Sequence, residues 1–220
     1  MDAGKAEGRL WMYRRAVIVS IFLIGAGAAT AAHADKVTTY GAGLKSCEAY
    51  LEAKEQQSAD EVAFIDWLGG YLSGVNATSN HMNNILGDSN LTGAVYWLGN
   101  YCRAHPHTPV AVALDVLAVG ARSTTARQTV EVTTYGAGFK ACGTYLDARE
   151  QQNADEAAFI DWLGGYLSGV NAMSLSTNNI LGDSDLTGAI SSLDNYCRAN
   201  PGTRFVVAVA TSVASNRRDK

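Results

Sequence analysis

The chain has 220 residues, 47% of them hydrophobic and 17% charged, with four Cys, three Pro and a formal charge of -4. That composition supports a buried core and excludes intrinsic disorder and collagen-like or Pro-rich low complexity. With 17 basic residues against 21 acidic ones, it lacks the clustered cationic excess that a nucleic-acid backbone demands, so no nucleic-acid partner is expected.

The first element is an address. Residues 16–29 read AVIVSIFLIGAGAA, follow Arg14 and Arg15, and precede Ala32-His33-Ala34. A basic stretch, an apolar run and an A-x-A site in that order predict a secretory signal over residues 1–34, cleaved after Ala34. The run is shorter than the roughly 20 residues of a spanning helix, so no membrane association is expected once it is removed. Translation can begin at Met1 or at Met12. Cleavage takes away four basic and two acidic residues, leaving 13 against 19 and a formal charge of -6. All four Cys stay in the exported part, and an even count behind an export signal points to disulfides more than to thiol catalysis.

The remainder is one unit written twice. A shift of 95 residues aligns Val37–Leu117 with Val132–Ser212 without a gap, and 55 of those 81 positions are identical. The longest identical run, AFIDWLGGYLSGVNA, stands at Ala63–Ala77 and Ala158–Ala172. So long a period makes each copy a small domain rather than a stacking repeat. We expect an all-α chain with two tandem small four-helix domains, repeat 1 at 35–119 and repeat 2 at 132–220, joined by a polar linker at 120–131.

Within repeat 1, Leu44, Cys47 and Leu51 recur at helical spacing and predict a first helix over 43–57. Ser58-x-x-Glu61, repeated as Asn153-x-x-Glu156, offers a capping box for a second helix over Ala59–Asn76. Its apolar face carries Phe64, Trp67, Leu68, Tyr71, Leu72 and Val75, and Gly69, Gly70, Ser73 and Gly74 form a small-residue strip. Each interior Gly costs a helix about 1 kcal/mol relative to Ala, which predicts compensation by a closely packed helix, with a ligand groove as the alternative. Asn76–Ser89 is polar and turns the chain. Asp88 or Ser89 caps a third helix that runs to Ala104 and is stopped by Pro106. Thr108-Pro109 opens an aliphatic fourth helix, PVAVALDVLAV.

Four Cys allow three pairings. The duplication selects Cys47–Cys102 with Cys142–Cys197, because each unit must once have been stable alone. No C-x-x-C stands in the chain, so neither redox catalysis nor a zinc site is expected, and no metal or cofactor is assigned. Nucleophile elbows, metalloprotease helices, P-loops and dinucleotide fingerprints are missing from the exported sequence, and no enzyme is expected. Asp66 and Asp161 lie beside Trp67 and Trp162, where burial raises a carboxyl pKa. No second carboxylate accompanies either one at helical spacing, so the expectation is an outward carboxylate or one bonded to a Tyr. Asn83–Ser89 and its copy Asn178–Ser184 hold oxygen-bearing side chains but lack the alternation of a calcium loop.

The order Cys47-x-x-Tyr50-Leu51, Trp67-x-x-Gly70-Tyr71-x-x-Gly74, Leu98-x-x-Tyr101-Cys102-x-x-x-Pro106 and an aliphatic helix resembles the Rap/Tai family of periplasmic immunity proteins. Those bind and block peptidoglycan-cleaving amidase effectors delivered by type VI secretion systems. The resemblance covers both copies and implies a periplasmic, disulfide-stapled helical domain that places a loop in an effector's cleft. The contact surface expected from it is Asn76, Ser79, His81, Asn83, Asn84 and Asp88 in repeat 1, and Asn171, Ser174, Asn178, Asn179 and Asp183 in repeat 2. The partner is then a protein, an amidase effector, with the second copy supplying in cis what a dimer mate supplies elsewhere. The alternative is an acid-stress chaperone of the Hde type, also small, helical and disulfide-bonded; a scaffold without an individual ligand is the third reading.

Overall fold

The structure is a computed structural model and describes residues 37–78, 84–122 and 132–218. The predicted signal lies outside the described residues. So do Ser79, His81 and Asn83 and most of the linker. Among the described residues the chain is helical: α1 (Cys47–Gln56), α2 (Ala59–Thr78), α3 (Leu91–Ala104) and α4 (Val110–Arg122) in repeat 1, then α5 (Cys142–Gln151), α6 (Ala154–Met173), α7 (Leu186–Ala199) and α8 (Phe205–Arg218) in repeat 2. None of these helices is long and apolar enough to cross a membrane.

The first predicted helix is divided. Gly41 takes φ +67, a left-handed value, and starts a 3-10 turn over Gly41–Leu44. Helix α1 begins only at Cys47, where the Ser46 hydroxyl accepts from the Ala49 N–H. The division makes room for Trp67. A Cβ on Gly43 would lie 2.1 Å from the Trp67 ring, and the Trp67 indole donates to the Tyr40 carbonyl at 2.6 Å. Trp162 does the same with Tyr135 in repeat 2, also at 2.6 Å.

The caps differ in part from those expected. Asn153 accepts from the Asp155 N–H, but the Ser58 hydroxyl donates back to Ala53 and closes the end of α1 instead. Glu156 pairs with Arg149 rather than returning to its cap. Helix α3 is capped by Asn90 and α7 by Asp185, each accepting from a glycine N–H three residues on. Asp88 and Ser89 stay in the preceding turn, because the cap must sit directly ahead of the first helical residue, Leu91.

Each repeat has its own apolar cluster and its own cross-link, Cys47–Cys102 or Cys142–Cys197, each spanning 55 residues and joining α1 to α3 or α5 to α7. Residues 35–220 nevertheless form one compact unit, because α2 and α6 meet along the glycine strip. A Cβ on Gly70 would lie 1.9 Å from the Trp162 carbonyl oxygen, and one on Gly74 would lie 2.2 Å from that of Tyr166. Gly165 and Gly169 face the carbonyls of Trp67 and Tyr71 at 2.0 and 2.2 Å in the same way. Backbone therefore touches backbone, and the missing Cβ atoms are what permits it. The glycine strip serves helix packing, as the composition of α2 predicts.

Candidate binding surface

The register of this seam fixes where everything else lies. Gly70 abuts residues 162–166, and Gly74 abuts residues 166–170. Contacts advance along both helices together, so α2 and α6 run parallel, related by a pseudo-twofold axis along the seam. Their C-terminal ends lie at one end of the molecule, and both connecting turns leave from there.

Each turn is built on one buried amide. The Asn76 carbonyl oxygen accepts from the Ile85 N–H at 2.7 Å, and its NH2 donates to the Thr133 carbonyl of the other repeat at 2.8 Å. Asn171 does the same with Ile180 and Thr38. Both side chains are 1% exposed, which corrects their assignment to a contact surface. An amide at the end of an apolar helix is drawn inward by backbone groups that would otherwise be buried unpaired.

Asn84 and Asn179 are also mainly internal. Asn84 donates to the Gly87 carbonyl and accepts from the Leu86 N–H; Asn179 donates to Gly182 and accepts from Leu181. Gly87 and Gly182 close these turns at φ +58 and +64, values that favour glycine. The Tyr135 hydroxyl of repeat 2 donates to Asn84 at 2.6 Å, and the Tyr40 hydroxyl of repeat 1 donates to Asn179 at the same distance. The same tyrosines donate their backbone N–H groups to Ser73 and Ser168 at 2.9 Å. Half-buried Asn84 and Asn179 are thus braces, each held by the opposite repeat.

What faces solvent is a smaller set. Asp88 and Asp183 are exposed. Ser174 is half-buried within hydrogen-bond reach of Ser176, and Asn178 uses its backbone carbonyl to accept from the Thr38 N–H. Sequence reasoning passed over Leu175, which stands at the tip of the second turn at 105% relative exposure. The signal available was its position: Leu in repeat 2 against Asn80 in repeat 1, within the stretch where the copies differ most.

At the opposite end a groove of about 670 Å³ is lined by residues of both helices, Ala59, Ala63, Asp66, Ala157, Ala158 and Asp161 among others. Asp66 is one turn before Gly70 on the seam stripe, and Asp161 is one turn before Gly165. The second carboxylate that neither helix supplies by itself comes from the other repeat. Burial pushes the Asp66 carboxyl up to about 6; Asp161 adds to this, Lys140 opposes it and Asp155 adds to it again. Asp161 is raised by burial, against Lys45 and with Asp60. Lys45 pairs with Asp60 and Lys140 with Asp155, both at 3.2 Å.

The repeats differ in their polar interiors. Tyr71 donates to Asp115 at 2.5 Å, where repeat 2 has Ala210. Tyr145 donates to Asp194, which with Glu156 holds Arg149; repeat 1 has Gly99 and Lys54 there. Among the described residues no group of three His, Cys, Asp or Glu side chains is placed to hold a metal ion. Comparison with family models, with curated proteins and with solved structures gives no match.

Proposed function

We propose that the chain is an exported protein-binding module of the immunity type, working in the periplasm without catalysis and occluding a peptidoglycan-cleaving amidase with the turns that follow α2 and α6. The observation that carries this reading is the pair of turns at one end of a parallel helix pair, each braced at its base by a tyrosine of the other repeat. Bracing before contact removes ordering entropy that binding would otherwise have to overcome, which is how a short loop gains affinity. The two disulfides suit an oxidising compartment. The fused repeats act as a dimer in cis, so neither turn depends on protein concentration for its brace.

The acid-chaperone reading receives less support. Among the described carboxyls, Asp66, Asp115 and Asp161 titrate above the ordinary range, each because of burial first. A folded-state carboxyl pKa above its unfolded value makes the fold more stable as pH falls, which is the wrong sign for a fold that opens in mild acid.

The test is a binding and activity assay with the oxidised chain, residues 35–220, and an amidase encoded beside it. The reading expects a 1:1 complex and loss of peptidoglycan hydrolysis. Undiminished hydrolysis at saturating chain, together with suppression of client aggregation near pH 2, would transfer the assignment to the chaperone.

A further inference from the structure

The stripe that joins the two repeats runs Asp66, Gly70, Gly74 on α2 and Asp161, Gly165, Gly169 on α6, at four-residue spacing on one face of each helix. Over the glycines the backbones touch. One turn earlier the stripe changes from the smallest residue to a carboxylate on both helices, and both carboxylates line one groove. Symmetry places like charges opposite each other on the pseudo-twofold axis. Small Ala residues line much of the rest of the groove, together with Lys45, Asp60 and Val62 at its side.

We propose that Asp66 and Asp161 form a proton-operated latch on the seam, open when both carboxylates are charged and drawn shut when one takes up a proton and can donate to the other. The inference stands independently of the binding reading. Two charged carboxylates facing each other in a partly desolvated groove repel, whereas a protonated one is both neutral and a hydrogen-bond donor. The remaining charges around the groove are Asp60 and Asp155 with their paired lysines, Lys45 and Lys140. Each lysine is committed to a neighbouring carboxylate and opposes the latch without neutralising it. Glu156 is engaged with Arg149 away from the groove, and Glu61 acts on Tyr50.

The sign follows from the linkage between protonation and folding. With the folded carboxyl titrating higher than the unfolded one, the native state holds more protons between about pH 4 and 6, and stability falls as pH rises through that window. Asp66 alone, moved from its ordinary value to about 6, corresponds to an unfolding constant about tenfold smaller at pH 5 than at pH 7.5 in full, and roughly three- to fivefold smaller once discounted for partial exposure.

The experiment is urea unfolding of the oxidised chain, residues 35–220, at pH 5 and pH 7.5, in wild type and in D66N/D161N. Wild type should show that roughly three- to fivefold difference. The variant should be more stable than wild type at pH 7.5, and its residual pH dependence should be no more than Asp115 contributes, which D115N measures separately. A variant that keeps the wild-type dependence overturns the latch, as does a wild type that loses stability on going to pH 5. Carboxyl ¹³C NMR of the unmodified chain gives a second reading that needs no substitution: Asp66 should titrate above pH 5, and a midpoint near 4 would overturn the proposal.

Discussion

Replacing Gly70 by Ala adds one methyl group to a helix interior, a change that by intrinsic propensity should stabilise α2 by about 1 kcal/mol. The seam predicts the opposite sign. The new Cβ would lie 1.9 Å from the Trp162 carbonyl oxygen and 2.9 Å from the Tyr166 N. Ordinary contact begins near 3.4 Å, so the backbones must separate by about 1.5 Å at this point. Neither neighbour is the tip of a flexible side chain, and the movement is transmitted to Gly74, Gly165 and Gly169, whose contacts are equally close. Overpacking of this kind costs about 1–3 kcal/mol before the propensity gain is subtracted, and the loosened contacts along the rest of the seam add to it. A net loss of about 2 kcal/mol is expected, and a larger one for Gly70→Leu. Urea denaturation of the oxidised chain, followed by circular dichroism, measures it. Gly99→Ala in α3 is the control: its Cβ would meet only Arg103, at 3.9 Å, so the propensity gain should survive there. If Gly70→Ala proves as stable as Gly99→Ala, the backbone seam is not what joins the repeats.

Three further outcomes follow from the same geometry. Removing either cross-link by a Cys47→Ser/Cys102→Ser or Cys142→Ser/Cys197→Ser pair should lower stability by on the order of 4 kcal/mol, from the entropy of a 55-residue loop; chemical denaturation checks it, and a loss under 1 kcal/mol would contradict the estimate. Asn76→Ala leaves the Ile85 N–H and the Thr133 carbonyl without their partner and should cost about 2–4 kcal/mol, with much faster hydrogen exchange at Ile85. Leu175→Asp touches nothing buried, so stability should hold within about 0.5 kcal/mol while affinity for a captured amidase falls at least tenfold; calorimetry on the complex reads this, and unchanged affinity would remove Leu175 from the contact.

The helices and the cysteine pairing were legible because their signals are local or doubled. Apolar spacing marks α2, and the duplication selects one pairing out of three. The division of the first helix was hidden, since Leu44 fits the helical spacing although Gly41 turns the chain and Ser46 caps the real start. Asn76 and Asn171 were misassigned for a related reason. Polarity in a turn suggests solvent, but these amides satisfy backbone groups contributed by residues 57 and 133 positions away, and a single chain read in order does not display that demand. The partner of Asp66 was equally hidden. It lies 95 residues on, and only the parallel seam brings the two together.

The crossed braces have a consequence for how this surface can vary. In a homodimer of single repeats, any change at one tip is imposed on both, and symmetry repeats the same side chain across the axis. Fusion lifts that constraint while the seam stays symmetric: in the sequence, Asn80, His81 and Met82 of one repeat correspond to Leu175, Ser176 and Thr177 of the other. A mirrored frame can in this way address a lopsided target, with each tip free to drift while its support comes from across the axis.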